Sequence, residues 1–180
     1  MRRSFIAVAL GAALLSACGK PAGDAPAADK PATAAPPTAI LASLTAAPLT
    51  KPQALKVMHE RHEGMEQVGK TNKVLKRAMG DTPDMAAAKP AAATMNKLAK
   101  AAGGWFPAGT GPDLGKTGAK PEIWQKPEDF AAKLKAFQTA AAALNKAAQG
   151  GNAGSTTAAY ADLGKSCKGC HDSYRKEMKH

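Results

Sequence analysis

Residues 127–149 read PEDFAAKLKAFQTAAAALNKAAQ. Within them Phe130, Leu134, Phe137, Ala141, Leu144 and Ala148 recur at alternating steps of four and three. That spacing keeps them on one stripe of an α-helix, the seam of a helix bundle. Pro127 suits a first helical turn, Glu128 and Asp129 suit the positive end of the helix dipole, and Gly150-Gly151 stops the run. Composition extends the reading to the whole chain. Of 180 residues, 42 are Ala and only 7 are Val or Ile, and aromatics make up 4%. A large β-sheet would need the β-branched and aromatic side chains that are scarce here. An all-α domain is expected.

Three more helices flank this one. A helix over 83–102 is expected, with Thr82 as its cap, Pro83 as its first residue and Met85, Ala88, Ala92, Met95 and Ala99 on its face. Pro90 should disturb its first two turns, and Gly103-Gly104 ends it. Before it, a helix over 51–79 carries Met58, Met65, Val68, Leu75 and Met79 on one stripe and stops at Gly80. Gly64 and Gly69 inside it each cost about 1 kcal/mol against Ala, so a close approach is expected there. A last helix over 156–179, capped by Ser155, carries Tyr160, Leu163, Cys167, Cys170, Tyr174 and Met178. The long connection 105–126 holds Trp105, Phe106 and Trp124 and reads as a crossover packed on the bundle. Four helices with one long link predict an antiparallel four-helix bundle over 51–180.

The N-terminal region reads differently. Arg2 and Arg3 precede an apolar run, Phe5 to Leu15, that is too short to span a bilayer and has the length of a signal-peptide core. Leu15-Ser16-Ala17-Cys18 resembles a bacterial lipobox, which implies that residues 1–17 are removed and Cys18 carries lipid. An ordinary export signal with an incidental cysteine, giving a soluble periplasmic protein, is the alternative. Gly19 after the cysteine points to the outer membrane. Residues 18–50, rich in Ala and Pro, read as a tether. The alternative for Ile40, Leu41 and Leu44 is a short helical turn docked on the domain. The net charge of +11 comes without a long Lys/Arg run. It suits acidic partners or anionic lipid, and no nucleic-acid partner is expected. Three cysteines, an odd number, argue against a framework of paired disulfides.

The chemistry is concentrated in Cys167-Lys168-Gly169-Cys170-His171, a C-x-x-C-H motif that reads as a c-type haem attachment. Residues i, i+3 and i+4 share a helix face, so two thiols and one imidazole point the same way. The thiols suit thioethers to the two haem vinyl groups, and His171 suits the iron. A thioredoxin-like C-x-x-C needs a βαβ setting, a structural zinc needs a fourth ligand, and a disulfide would strain the helix and ignore His171.

The stretch Lys165 to Arg175, KSCKGCHDSYR, resembles the C-terminal haem helix of the cytochrome c′ family, the class II c-type cytochromes. Trp105-Phe106-Pro107-Ala108-Gly109-Thr110-Gly111 with Ala119 to Trp124 resembles that family's crossover, and Arg61 followed four residues later by Met65 matches its first helix. The resemblance spans about residues 50–180. It implies one covalent haem c, Cys167 and Cys170 as anchors, His171 as proximal ligand, Arg175 beside that ligand and Arg61 near a haem propionate. It also implies a homodimer through the first two helices of the bundle.

Met65 then stands over the open haem face. As a sixth ligand it would make a low-spin electron carrier of the periplasm, which is the expectation adopted here. The alternative is a high-spin protein that binds NO or CO at a vacant distal site, with Met65 only filling space. Neither is an enzyme. His59 and His62 are remoter ligand candidates whose plainer place is the solvent-facing side. Lys165, Lys168, Lys176 and Lys179 either ring the haem edge and steer an acidic redox partner or form a solvated face.

Overall fold

A computed structural model describes residues 37–177. The signal segment, Cys18, Met178, Lys179 and His180 lie outside the described residues. Six helices follow in order: α1 (Pro37–Thr45), α2 (Lys51–Ala78), α3 (Met85–Ala101), α4 (Glu122–Gln125), α5 (Pro127–Gln149) and α6 (Ala153–Tyr174). A 3₁₀ turn, Ala102–Gly104, closes α3. The long helices pack in sequence, α2 on α3, α3 on α5 and α5 on α6. The expected four-helix bundle is the fold, and no strand is present among the described residues.

The seam of α5 is buried as its spacing requires. Phe130, Leu134, Phe137, Ala141, Leu144 and Ala148 all enter the core, and Gly151 takes a φ of +78° that only glycine adopts freely. On α3 the face is alanine (Ala88, Ala91, Ala92, Ala99) around Met95. Small side chains there let α2 and α5 approach closely, and the larger residues of α5 fill the space.

Three boundaries differ from the sequence expectation, each for a structural reason. The α3 helix starts at Met85, because the carboxylate of Asp84, and not the hydroxyl of Thr82, accepts the backbone N–H of Ala87 at 3.0 Å. Pro90 does not break it. The N–H that proline lacks would have met the carbonyl of Ala86, an exposed residue that water can serve. The α6 helix is capped by Asn152, which accepts from Ser155 N at 2.9 Å, so Ser155 lies inside it. It ends at Tyr174 because the next residues pair with the crossover. Lys120 N donates to Tyr174 O (2.9 Å), Lys176 N donates to Gly118 O (2.8 Å), and Ala119 and Arg175 form an antiparallel bridge. The α2 helix ends as expected, with Met79 as the cap residue and Gly80 directly after it, although Gly80 takes no left-handed turn.

At the far end of the segment read as a tether, 18–50, the docked helical turn named as the alternative is what forms. Residues 37–45 fold as α1 and bury Ile40 and Leu44 against α5 and the 3₁₀ turn. Ile40 and Leu44 lie four apart, so one short helix face can dock both.

Candidate functional site

The last turns of α6 present Cys167, Cys170 and His171 half-buried, with both thiols packed against the main hydrophobic cluster. The thiols are free, and among the described residues no three His, Cys, Asp or Glu side chains converge as ligands of a bare ion. Burial raises the Cys167 thiol, and pushes Cys170 up to about 11 against a weaker pull from Lys133. Burial and then Arg175 lower His171, opposed by Asp172. The site therefore holds a neutral imidazole at neutral pH, the form that binds metals.

Opposite α6 stands α2. Tyr160 Oη donates to Asn72 Oδ1 at 3.1 Å, and Thr157 Oγ1 approaches Met79 Sδ at 3.8 Å. Those contacts tie the C-terminal end of α2 to the N-terminal half of α6 in antiparallel register. Counted on from those two contacts, the same register would set Met65 opposite the stretch Cys167–His171. The two helices are not among those that pack backbone against backbone. Met65 and Val68 are half-buried and join the same apolar cluster as the two cysteines. Two thiols and a neutral imidazole on one face of α6 fit a covalently attached haem.

The crossover closes this end. Arg61 of α2 is 4% exposed, yet its guanidinium is held by loop oxygens. Nη1 donates to Trp105 O (3.2 Å) and Thr110 Oγ1 (3.0 Å). Nη2 donates to Thr110 O (2.8 Å) and Thr117 Oγ1 (3.1 Å). The same group lies over the rings of Phe106 and Trp124, at 5.1 and 5.8 Å from their centroids. Burial lowers Arg61 to about 10, so it stays charged at neutral pH. Its observed task is to pin the loop. Thr110 and Thr117, the acceptors, carry no local sequence signal that would have named them.

One turn away, the Trp105 ring occupies the space that a side chain at Gly64 would need; a Cβ there would lie 2.3 Å from the indole. The close approach expected at Gly64 is found. At Gly69 it is not, since nothing lies within 4 Å of a Cβ built there.

The remaining site candidates are on the surface. Arg175 is exposed, just past α6. His59 and His62 face outward and pair with Glu63 (3.2 Å) and Glu66 (3.3 Å). Lys165 and Lys168 pair with Asp162 and Asp172. A contact not foreseen joins α6 to α5: the buried Tyr174 hydroxyl donates to Asp129 Oδ2 in a short hydrogen bond. Burial first and that carboxylate second raise the phenol above its usual range.

Thiols at i and i+3 with an imidazole at i+4, turned toward the interior of a bundle, define the class: a c-type haem protein built on four helices. Comparison with known proteins narrows the class. The profile of the family described as Cytochrome C′ matches residues 56–175. A cytochrome c′ from Alcaligenes xylosoxydans xylosoxydans is 42% identical over 73 residues, 41% of this chain and 56% of that protein. The chain thus spans about half the length of the first curated relatives it matches. Cytochrome c-556 of Agrobacterium fabrum is 37% identical over 119 residues, 64% of this chain and 79% of that one. A ferrous variant of cytochrome c′ from Alcaligenes xylosoxidans, solved with nitric oxide bound, superposes with a TM-score of 0.61 at 28% identity, covering 69% of this chain and 97% of its own. The chain belongs to the cytochrome c′ family, whose members carry one covalently attached haem c.

Proposed function

We propose that Cys167 and Cys170 anchor the haem through two thioethers, that His171 is its proximal ligand, and that NO or CO binds on the Met65 side. The observation that carries this reading is the setting of Met65. Met65 packs half-buried against the main apolar cluster, next in sequence to Gly64, whose side-chain space is filled by the Trp105 ring. Bound haem iron supplies an axial position for a small neutral molecule. Met65, Val68 and Trp105 keep water and anions from that side by bulk and low polarity. His59 and His62 are engaged on the outer surface, so they supply neither a ligand nor an acid or base there. On this reading the protein is a ligand-binding or carrier protein. The nitric oxide bound to the relative from Alcaligenes xylosoxidans supports the reading.

A second reading, the Met65-ligated electron carrier, draws on the thioether itself and on the likeness to cytochrome c-556. Optical spectra of the oxidised and reduced protein, with and without CO, separate the two. Broad high-spin bands and a CO-induced shift are expected. Sharp, split α and β bands on reduction with no response to CO would replace gas binding by Met65 ligation.

The same proposal places the protein in the periplasm, held by lipid at Cys18, with a second copy meeting it through α2 and α3. An acidic redox partner would find its cations at Arg175 and Lys176, which are exposed, more than at Lys165 and Lys168, which already have acidic partners. Arg61 would face a propionate only beyond its four loop contacts.

A further inference from the structure

The family match begins at residue 56, and α1 lies wholly before it. This added helix is nevertheless seated where it bears on the crossover. Ile40 and Leu44 are 2% and 4% exposed, and α1 packs on α5 and on the 3₁₀ turn that leads into Trp105. Ser43 O accepts the backbone N–H of Ala108 at 3.1 Å. Farther along, Pro48 lies on Gly109, which has a φ of +79°; a Cβ there would come within 3.0 Å of Pro48 Cβ. The segment 37–49 therefore touches the turn that leads into the crossover and, within the crossover, Ala108 and Gly109. The residues it touches are chain neighbours of those that act on α2: Trp105, next after the 3₁₀ turn, through its ring on Gly64 and its carbonyl on Arg61, and Thr110, next after Gly109, through both of its oxygens.

We propose that residues 37–49 are a strap that positions the distal wall of the haem pocket, with Ile40 and Leu44 as positioning residues that act through the crossover on Trp105. Without the strap, the loop keeps its Arg61 anchors on one side and loses its backing on the other. Trp105 is then free to move off Gly64, and the Met65 side opens. A segment read as part of a passive tether becomes a determinant of how readily a small ligand enters. The ligand readout rests on the gas-binding reading above, and the structural readout does not.

The test uses the full-length haem protein and three variants. Ile40→Ala/Leu44→Ala removes the docked face. Ile40→Leu/Leu44→Met keeps it apolar. Leu144→Ala empties a buried site elsewhere on α5 and controls for lost stability. Flash photolysis gives the CO association rate, and amide hydrogen exchange reports on residues 105–111. The double alanine variant should bind CO at least about fivefold faster, the low end of coupling between distinct sites. Its 105–111 amides should also exchange faster, while the control leaves both unchanged and the conservative pair restores both. Should the double variant fail to retain haem, Ile40→Val alone is measured in the same way. Equal effects in the control, or no effect in the alanine variant, would overturn the strap. A parent protein that takes up no CO would sink the gas-binding reading alone, and the exchange data would then decide the strap.

Discussion

Cys167, Cys170 and His171 meet on one face of α6 through helix geometry alone. Three residues within five positions of one helix fix their own relation. Arg61 reads from the sequence as a neighbour of a haem propionate; its clamp on the loop does not show there, because its partners lie 44 to 56 residues away and two of its four acceptors are backbone carbonyls. The Tyr174–Asp129 bond was hidden for the same reason: Tyr174 reads as one more member of an apolar stripe. That bond has a measurable cost and a pH signature. Tyr174→Phe should lower the stability by about 2 kcal/mol at neutral pH, as expected for a hydrogen bond to a charged acceptor. In the unfolded chain the phenol ionises near its ordinary value of 10.0, whereas in the native state it is held higher. Above pH 10 the unfolded state sheds a proton that the native state keeps, so the stability contributed by Tyr174 is complete below that pH and drains away above it. Urea unfolding of parent and variant should therefore show a gap that narrows as the pH rises past 10. A gap that widened would mean that the phenol is not held protonated.

At the scale of the element, α5 was read correctly at both ends because a proline and a glycine pair punctuate it and its seam is strictly periodic. The start of α3 falls to Asp84 and not to Thr82, because the Asp84 carboxylate reaches the backbone N–H of Ala87. The end of α6 could not be read locally, since it is set by backbone pairing with Gly118–Lys120. Helix α1 was obscured by the prolines around it and by its length of nine residues, too short to declare a period. Two glycines of α2 give the sharpest test at this scale. Both carry the same penalty of about 1 kcal/mol as helical residues. Gly69 is exposed with open space around it, so Gly69→Ala should stabilise by about that amount. Gly64→Ala should destabilise, because its methyl group would stand 2.3 Å from a buried indole that is braced by the crossover. Thermal unfolding of the two variants should shift in opposite directions. A stabilised Gly64→Ala would mean that Trp105 can leave its seat without cost.

At the scale of the molecule, charge and apolar surface pull on different partners. The full chain carries +11, and loss of residues 1–17 removes two arginines and no acid, leaving +9. Two such copies repel each other, while the groove between α2 and α3 that would join them is lined by Val74, Ala87, Pro90 and Ala91 with Lys70 at its rim. Dispersion and burial in that groove are little affected by modest salt, whereas the repulsion is screened over a Debye length that shrinks from about 30 Å at 0.01 M to about 10 Å at 0.1 M. Raising the salt across that range should therefore increase the dimer fraction, as read by sedimentation equilibrium. Attraction to an anionic redox partner is screened by the same ions and should weaken, so oxidation of the reduced haem by ferricyanide should slow over the same range. Opposite trends would identify the whole-molecule field as the common cause. If the dimer instead dissociates as salt is added, it is held by complementary charges, and the paired stretches on α2, such as His59–Glu63 and His62–Glu66, become the place to look for them.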